Sequence, residues 1–210
     1  MSWCVCSDSS ETVGHCCTRV ASGALSPDVC DEIILRFRRD ERKAPGITTS
    51  GEVRPDVKKS IDLNISVIEA WKDIDKILFE SLKTEIETYR DKLEKIINIP
   101  LWSNKIKDDG YNVKEYQPGD YYNWHVDAFT HADGWTRTIA CIWYLNQVDE
   151  GGETEFALGH KVIPSKGKLI LFPSTWNFPH RGLSPIKGNK YIITSFLMTN
   201  DSLEDHYYES

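Results

Sequence analysis

The chain has 210 residues, 40% of them hydrophobic and 27% charged, with 32 acidic against 25 basic side chains and a formal net charge of −7. A chain of this length and balance can bury one core without disulfide staples, which argues against wholesale disorder. The acidic balance argues against a broad nucleic-acid-binding face, and no stretch reaches the roughly 18 consecutive apolar residues of a membrane span.

The first residues, Met-Ser-Trp-Cys-Val-Cys-Ser-Asp, lack the basic start and apolar run of a secretory leader. A cytoplasmic, reducing compartment with free thiols is therefore the expectation. Cys4, Cys6, His15, Cys16 and Cys17 are suitable zinc ligands by type, but their spacing departs from the usual Cys-x2-Cys pairs. A thiol-rich tail is the favoured reading over a metal site. Residues 1–25 are taken as this tail or an edge segment, and Cys141, inside an apolar run, as a small core residue.

Ser26-Pro27-Asp28 reads as an N-cap, a proline at the first helical position and an acidic first turn. The helix that follows places Val29, Ile33, Ile34 and Phe37 on one stripe, ends before Pro45-Gly46, and presents a solvated polar face from Arg36 to Lys43. Partial alternation over Val57 to Leu63 predicts a short strand. From about Ser66 to Ile99 the pattern is helical again, with Ile68, Trp71, Ile74, Leu78, Leu82, Ile86, Tyr89, Leu93 and Ile96 at spacings of three and four, closed by Pro100. Trp71 and Tyr89 read as core aromatics rather than ligand contacts.

Beyond Gly110 the texture changes to short runs rich in Ile, Val, Thr and aromatics, separated by Pro-Gly, Gly-Gly and Lys-Gly. Strands are predicted at 111–116, 137–145, 153–158, 161–164, 168–172 and 190–199. Helices followed by antiparallel strands make the fold class α+β: a double-stranded β-helix, a jelly roll of cupin type, with N-terminal supporting helices. One domain is expected over 26–200, with helices in 26–100 and the jelly-roll core in 101–200, then an acidic tail at 201–210.

The stretch Tyr116-Gln-Pro-Gly-Asp-Tyr-Tyr-Asn-Trp-His125-Val-Asp127 ends a strand-like run with an imidazole and a carboxylate two positions apart. In extended backbone such residues face the same way and can reach one ion. Alone, His-x-Asp is common, and a histidine bonded to a surface carboxylate is the ordinary reading. His180, in Phe172-Pro-Ser-Thr-Trp-Asn-Phe-Pro-His180-Arg-Gly, changes the balance, because two imidazoles and one carboxylate form the ligand set of a non-haem Fe(II) oxygenase.

From Tyr116 to Phe196 the sequence resembles the Fe(II)/2-oxoglutarate-dependent dioxygenases, and within them the prolyl 4-hydroxylase-like branch. The pieces occur in the family's order: Tyr116 with its Pro-Gly turn, His125-x-Asp127, Arg137 and Tyr144, Gly151-Gly-Glu-Thr154-x-Phe156, Gly167 to Pro173, His180 and Lys190. The resemblance implies Fe(II) held by His125, Asp127 and His180, and 2-oxoglutarate and O2 as cosubstrates, with ascorbate as reductant. It implies Lys190 as the cation for the far carboxylate of 2-oxoglutarate, with Tyr116, Tyr144 and Thr154 supplying hydroxyls. His125, Asp127, His180 and Lys190 are then the catalytic set.

Arg137 matches an arginine that faces substrate in prolyl hydroxylases, with a strand-edge arginine as the equal alternative. Trp124, with Tyr122, Phe129, His131 and Trp135, surrounds the metal motif and could wall a substrate groove or fold back over the barrel. The loops at 47–62 and 128–136 are the expected substrate-side segments. His131 has no family role and stands outside the triad. The implied activity is hydroxylation of a C–H bond, peptidyl proline leading, with release of succinate and CO2. The implied partner is a peptide, a protein or a small molecule, with no membrane. A hydroxylase of a free amino acid or other small molecule is the alternative. A nucleobase-acting enzyme fares worse, and a non-enzymatic cupin-like metal-binding or sensor protein would not need Lys190, Tyr144 and Thr154 together.

Overall fold

The computed structural model describes residues 17–48, 50–98, 101–102, 105–157 and 159–200. Cys4, Cys6, His15 and Cys16, the close of the second helix at Pro100, and the acidic tail at 201–210 lie outside them.

Helix α1 (Pro27–Arg39) begins as its sequence predicts, with the Ser26 hydroxyl accepting from the Val29 N–H at 3.3 Å and Pro27 in the first turn. It ends at Arg39, before Pro45-Gly46 as expected. The Asp40 N–H returns to the Arg36 and Phe37 carbonyls, and the Asp40 carboxylate takes the Arg42 N–H at 3.0 Å, turning the chain outward. A single 3-10 turn (Glu69–Trp71) leads into α2 (Lys72–Ile97), which stops at Asn98 in the left-handed conformation, φ 55°. This helix starts later than the apolar period suggests because Ser66 is held in a turn by the Asn64 side chain. Its stripe is buried from Trp71 through Tyr89 and half-buried at Leu93, but Ile96 is exposed.

Among the described residues, twelve strands fall into two sheets. The larger joins β1 (Arg19–Ala21), β10 (Lys168–Pro173), β7 (Thr136–Tyr144), β12 (Lys190–Thr199), β5 (Asn112–Tyr116), β3 (Ile61–Asn64) and β2 (Ala44–Pro45) in that order, with β4 (Ile106–Asp108) on β12. The smaller runs β6 (Tyr122–His125), β11 (His180–Gly182), β8 (Thr154–Phe156) and β9 (Lys161–Val162). All pairings are antiparallel, giving the expected α+β jelly roll. The sheet reaches upstream of residue 26, since Arg19–Ala21 pairs with β10 as an edge strand. Strand β3 begins at Ile61 rather than Val57, because Lys58 donates its N–H to Arg54 in a turn and meets Tyr122 only as an isolated bridge.

Strand β7 is buried on both faces, which its unbroken apolar run reflects. Ile139, Cys141 and Trp143 join the core under the helices, while Ala140, Ile142 and Tyr144 join the core between the sheets. Strand β12 divides the same way, with Tyr191 and Ile193 toward the helices and Ile192 between the sheets. The helices are pinned across this layer by the Trp143 indole N–H on the Ser81 hydroxyl (3.1 Å) and by Arg19 on Glu85 (2.6 Å). Trp71 and Tyr89 are core, their polar atoms bonded to Asp40 and to the Cys17 carbonyl.

Leu78 has no exposed surface on the buried face of α2, whereas its neighbour Ile77 is 38% exposed. Leu78→Ala should lower unfolding free energy by about 2–5 kcal/mol in urea titrations, with Ile77→Ala well below that. Equal effects would contradict this packing.

Candidate active site

The register of the smaller sheet sets the site. Strands β6 and β11 pair so that His125 and His180 are direct cross-strand partners, with ring centroids 4.2 Å apart. Asp127 follows two residues after the end of β6 and is 8% exposed. Its two oxygens lie 3.6 Å from His125 Nε2 and 3.4 Å from His180 Nε2. One ligand atom from each residue falls within 4.8 Å of the others, and among the described residues this is the cluster able to hold a metal ion.

The imidazoles are oriented from behind. Nδ1–H of His125 donates to the Asn123 carbonyl at 2.7 Å, and Nδ1–H of His180 donates to the Phe178 carbonyl at 3.1 Å. A carbonyl can only accept, so each ring carries a hydrogen on Nδ1 and turns Nε2, the nitrogen left to bind a metal, toward Asp127. Tyr122 stacks on His125 at 3.5 Å, and Phe172 packs edge-on against His180 at 4.7 Å. Burial, followed by the neighbouring His180, pushes His125 down to about 4, which keeps it a neutral ligand near pH 7. Two neutral nitrogens and one hard anionic oxygen suit a first-row divalent metal better than Mg or Ca. Separations near 3.5 Å can be closed by metal–ligand bonds of about 2.1 Å. The residues therefore fit Fe(II).

A cavity of about 260 Å3 opens between the sheets beside this cluster. Lys190, the first residue of β12, lines it with only 2% exposure, directly across the ladder from Tyr116. Among the described residues it forms no salt bridge, with Glu153 near enough only to exert a field, and burial pushes its ammonium down to about 8. Its Nζ lies 5.5 Å from the Tyr116 ring centre and 5.7 Å from that of Tyr144. The Tyr144 hydroxyl donates to Thr154 at 2.6 Å, and Thr154 lines the cavity. Gly151 and Gly152, at φ 77° and 76°, make the turn into β8. A Cβ on Gly152 would come within 3.4 Å of Lys190 Cδ, so glycine leaves that side chain its room. Of the sequence-predicted metal and cosubstrate residues, His125, Asp127, His180, Tyr116, Thr154 and Lys190 line one cavity, while Tyr144 is fully buried behind it and meets it only through Thr154.

The two residues expected toward substrate divide. Arg137 lines the cavity, but its guanidinium is engaged: Nε and Nη2 both donate to Asp109 Oδ2, at 2.8 and 2.6 Å, and its plane covers Phe196 at 3.9 Å. Trp124 does not line the cavity. It is 45% exposed with Arg181 stacked over it at 4.7 Å. Trp124 immediately precedes His125 and so alternates to the outer side. Between the pairs His180–His125 and Gly182–Tyr122 a bulge gives β6 one residue more than β11, so Tyr122 and His125, three apart, share the inner side.

Ile47, Thr48, Gly51, Lys58 and Asp62 from the 47–62 segment line the cavity. The 128–136 segment folds instead as a small hairpin, Thr130 bridging Thr136, and contributes no lining residue. His131 turns to Asp109 at 3.5 Å, away from the metal cluster, and His160 stacks on Phe156. Sequence reasoning missed Tyr122 as a stacking partner and missed the buried group Lys58, Asp62 and Lys114. Lys58 and Asp62 stand four apart in a run that reads as polar alternation, and the pairing of Asp62 with Lys114 arises only from the ladder between β3 and β5.

Residues 111–198 match the family model of the 2OG-Fe(II) oxygenase superfamily. Relatives include a probable prolyl 4-hydroxylase 9 of Arabidopsis thaliana, 29% identical over 125 residues, covering 46% of this chain and 43% of that protein. Prolyl 4-hydroxylase 1 of the same plant is 23% identical over 203 residues, covering 82% of this chain and 65% of its own length. The chain spans less than half the length of several relatives it matches. Among solved structures, a viral collagen prolyl hydroxylase of Paramecium bursaria Chlorella virus-1 in its 2OG complex superposes with a TM-score of 0.65 at 21% identity, over 87% of this chain and 96% of that one. A Trichoplax adhaerens prolyl hydroxylase bound to a hypoxia inducible factor peptide fragment gives 0.69 at 19% identity, over 92% and 87%. These neighbours establish the jelly-roll fold. The superfamily match falls on the strands that carry the His-Asp-His cluster and Lys190, and the relatives that share this part of the chain are prolyl 4-hydroxylases, so this region is similar to the prolyl 4-hydroxylase-like 2OG-Fe(II) oxygenases.

Proposed function

We propose that the protein is an Fe(II)- and 2-oxoglutarate-dependent dioxygenase that hydroxylates a substrate C–H bond, with peptidyl proline as the leading substrate class. The observation that carries this reading is the pairing of His125 with His180 around Asp127, faced across one cavity by a buried lysine that lacks a carboxylate partner among the described residues. A buried ammonium without a counterion is costly, and a dicarboxylate would supply that counterion. When bound, Fe(II), 2-oxoglutarate and O2 supply the oxidation: the keto acid leaves as succinate and CO2, and one oxygen atom enters the substrate.

The chain's own residues do the rest. His125, Asp127 and His180 would hold the iron, the two Nδ1–H bonds to backbone carbonyls fixing both rings before the ion arrives. Lys190 would pair with the far carboxylate of 2-oxoglutarate, with the Tyr144–Thr154 hydroxyl pair and Tyr116 beside it. Phe156 and Phe172 against His180 exclude water from behind the site. The plant hydroxylases among the relatives and the peptide-bound neighbour favour a peptide, while the cavity chemistry itself also admits a free amino acid.

Incubation with Fe(II), 2-oxoglutarate, ascorbate and proline-containing peptides should yield succinate and a peptide heavier by one oxygen. Lys190→Ala should cut succinate formation at least tenfold, and Asp127→Glu, which displaces the carboxylate oxygen by about a bond length, should leave little activity. Metal binding without any 2-oxoglutarate binding would favour a cupin-like sensor instead.

Lys190 also sets a pH dependence. Because burial lowers its pKa to about 8, the free protein holds a charged ammonium below that pH and a neutral amine above it. Affinity for 2-oxoglutarate should be flat below about pH 7.5 and weaken toward tenfold per pH unit above 8, one proton being required per ligand bound. In Lys190→Arg, whose side chain stays charged, that decline should vanish. A decline of the same slope in the arginine variant would contradict the assignment.

A further inference from the structure

The cavity holds more positive charge than iron and cosubstrate chemistry uses. Arg137 is paired with Asp109, Asp127 belongs to the metal cluster, and Lys190 is assigned to 2-oxoglutarate. Lys58 and Lys114 remain, both lining the cavity, against the single carboxylate of Asp62. Both ammonium groups reach the same oxygen, Asp62 Oδ2, at 2.6 and 2.9 Å, while Oδ1 accepts from the Ser60 hydroxyl at 2.7 Å. One ammonium would suffice to neutralise Asp62. A second, at a site where the lysine side chains are 2% and 13% exposed, adds desolvation and like-charge repulsion. Burial, then the like charge of Lys114, push the Lys58 ammonium well down. Although burial alone would raise it, Asp62 is held below the usual carboxylate range by the two lysines and so stays ionised.

The two lysines are not equally free. Lys58 also donates to the Ile47 carbonyl at 3.0 Å and stands over the Tyr122 ring, whereas Asp62 is the one ion-pair partner of Lys114 among the described residues. Lys114 shares the inner face of β5 with Asn112 and Tyr116, and register puts Tyr116 opposite Lys190 and Lys114 opposite Ile192. Lys114 is therefore about 7 Å farther along the sheet than the cosubstrate lysine, two strand residues on. Lys58 is tied to the metal end through Tyr122, which stacks on His125. Next along the same face, the Asn112 side-chain oxygen is buried without a hydrogen-bond partner among the described residues. A cation with spare donors beside an unused acceptor is a place for a ligand that has both an anionic oxygen and an N–H.

Resting on the iron and 2-oxoglutarate reading above, we propose that Lys114, backed by Lys58, receives a carboxylate of the substrate, on the side of the cavity away from Lys190. The enzyme would then select an anionic substrate. A free amino acid and a peptide with an acidic residue beside its proline carry the same group.

The test uses the full chain loaded with redox-inert Mn(II) and 2-oxoglutarate, and matched probes that differ only in the charge. L-proline against L-prolinamide represents the free amino acid; acetyl-Pro-Glu-amide against acetyl-Pro-Gln-amide represents the acidic peptide. Calorimetry should find the charged member of one pair bound at least tenfold more tightly, which also names the source of the carboxylate. In K114M that preference should disappear, with Lys58 still satisfying Asp62 to keep the wall folded, and K114R should restore it. Equal binding within both pairs, absence of binding by all four probes, or a preference that K114M retains would overturn the proposal. A wild-type Mn(II) form that fails to bind 2-oxoglutarate would remove the reading beneath it, and the proposal with it.

Discussion

Everything at the centre of this molecule depends on one stretch of backbone pairing, β6 against β11. Neither strand is long, and neither is stable alone. Their register puts His125 opposite His180, and the extra residue in β6 turns Tyr122 inward to stack on His125. Carbonyl acceptors at Asn123 and Phe178 then fix both tautomers. A slip of one residue would reverse which side chains face the cavity and dissolve the cluster.

The larger sheet exists to hold that pairing still. Its central strands, β7, β10 and β12, are buried on both faces, with two helices on one side and the smaller sheet on the other. The charged residues that would handle a cosubstrate are thereby mounted on rigid strands. Lys190 is the clearest case: it opens β12, is buried among aromatic rings, and has lost the solvent that would stabilise its charge. Rigid placement of such groups keeps the cost of ordering them out of the binding step.

How much of this could be read from the chain follows from the range of each signal. Ser26-Pro27 and the stripe from Trp71 to Tyr89 are local, and both helices formed around those residues, although α2 opens only at Lys72. Long apolar runs such as 137–145 and 190–199 were legible as strands because burial on both faces leaves no polar gaps. Four short strands were not: β1, β2, β4 and β11 each have two or three residues, and a partner strand defines them more than their own composition, whereas the equally short β8 and β9 fall within predicted runs. At the site, His125, Asp127, His180 and Lys190 stood out by type and order. The inward turn of Tyr122 and the Lys58–Asp62–Lys114 group did not, because a bulge and a cross-strand ladder create them.

The central claim is that His125, Asp127 and His180 bind one metal that also receives 2-oxoglutarate. Anaerobic addition of Fe(II) and then 2-oxoglutarate should produce the visible metal-to-ligand charge-transfer band of a keto acid chelated to iron, with one iron per chain. His180→Ala and Asp127→Ala should each abolish it. A band that survives loss of His180, or iron bound with full affinity in both variants, would contradict the account.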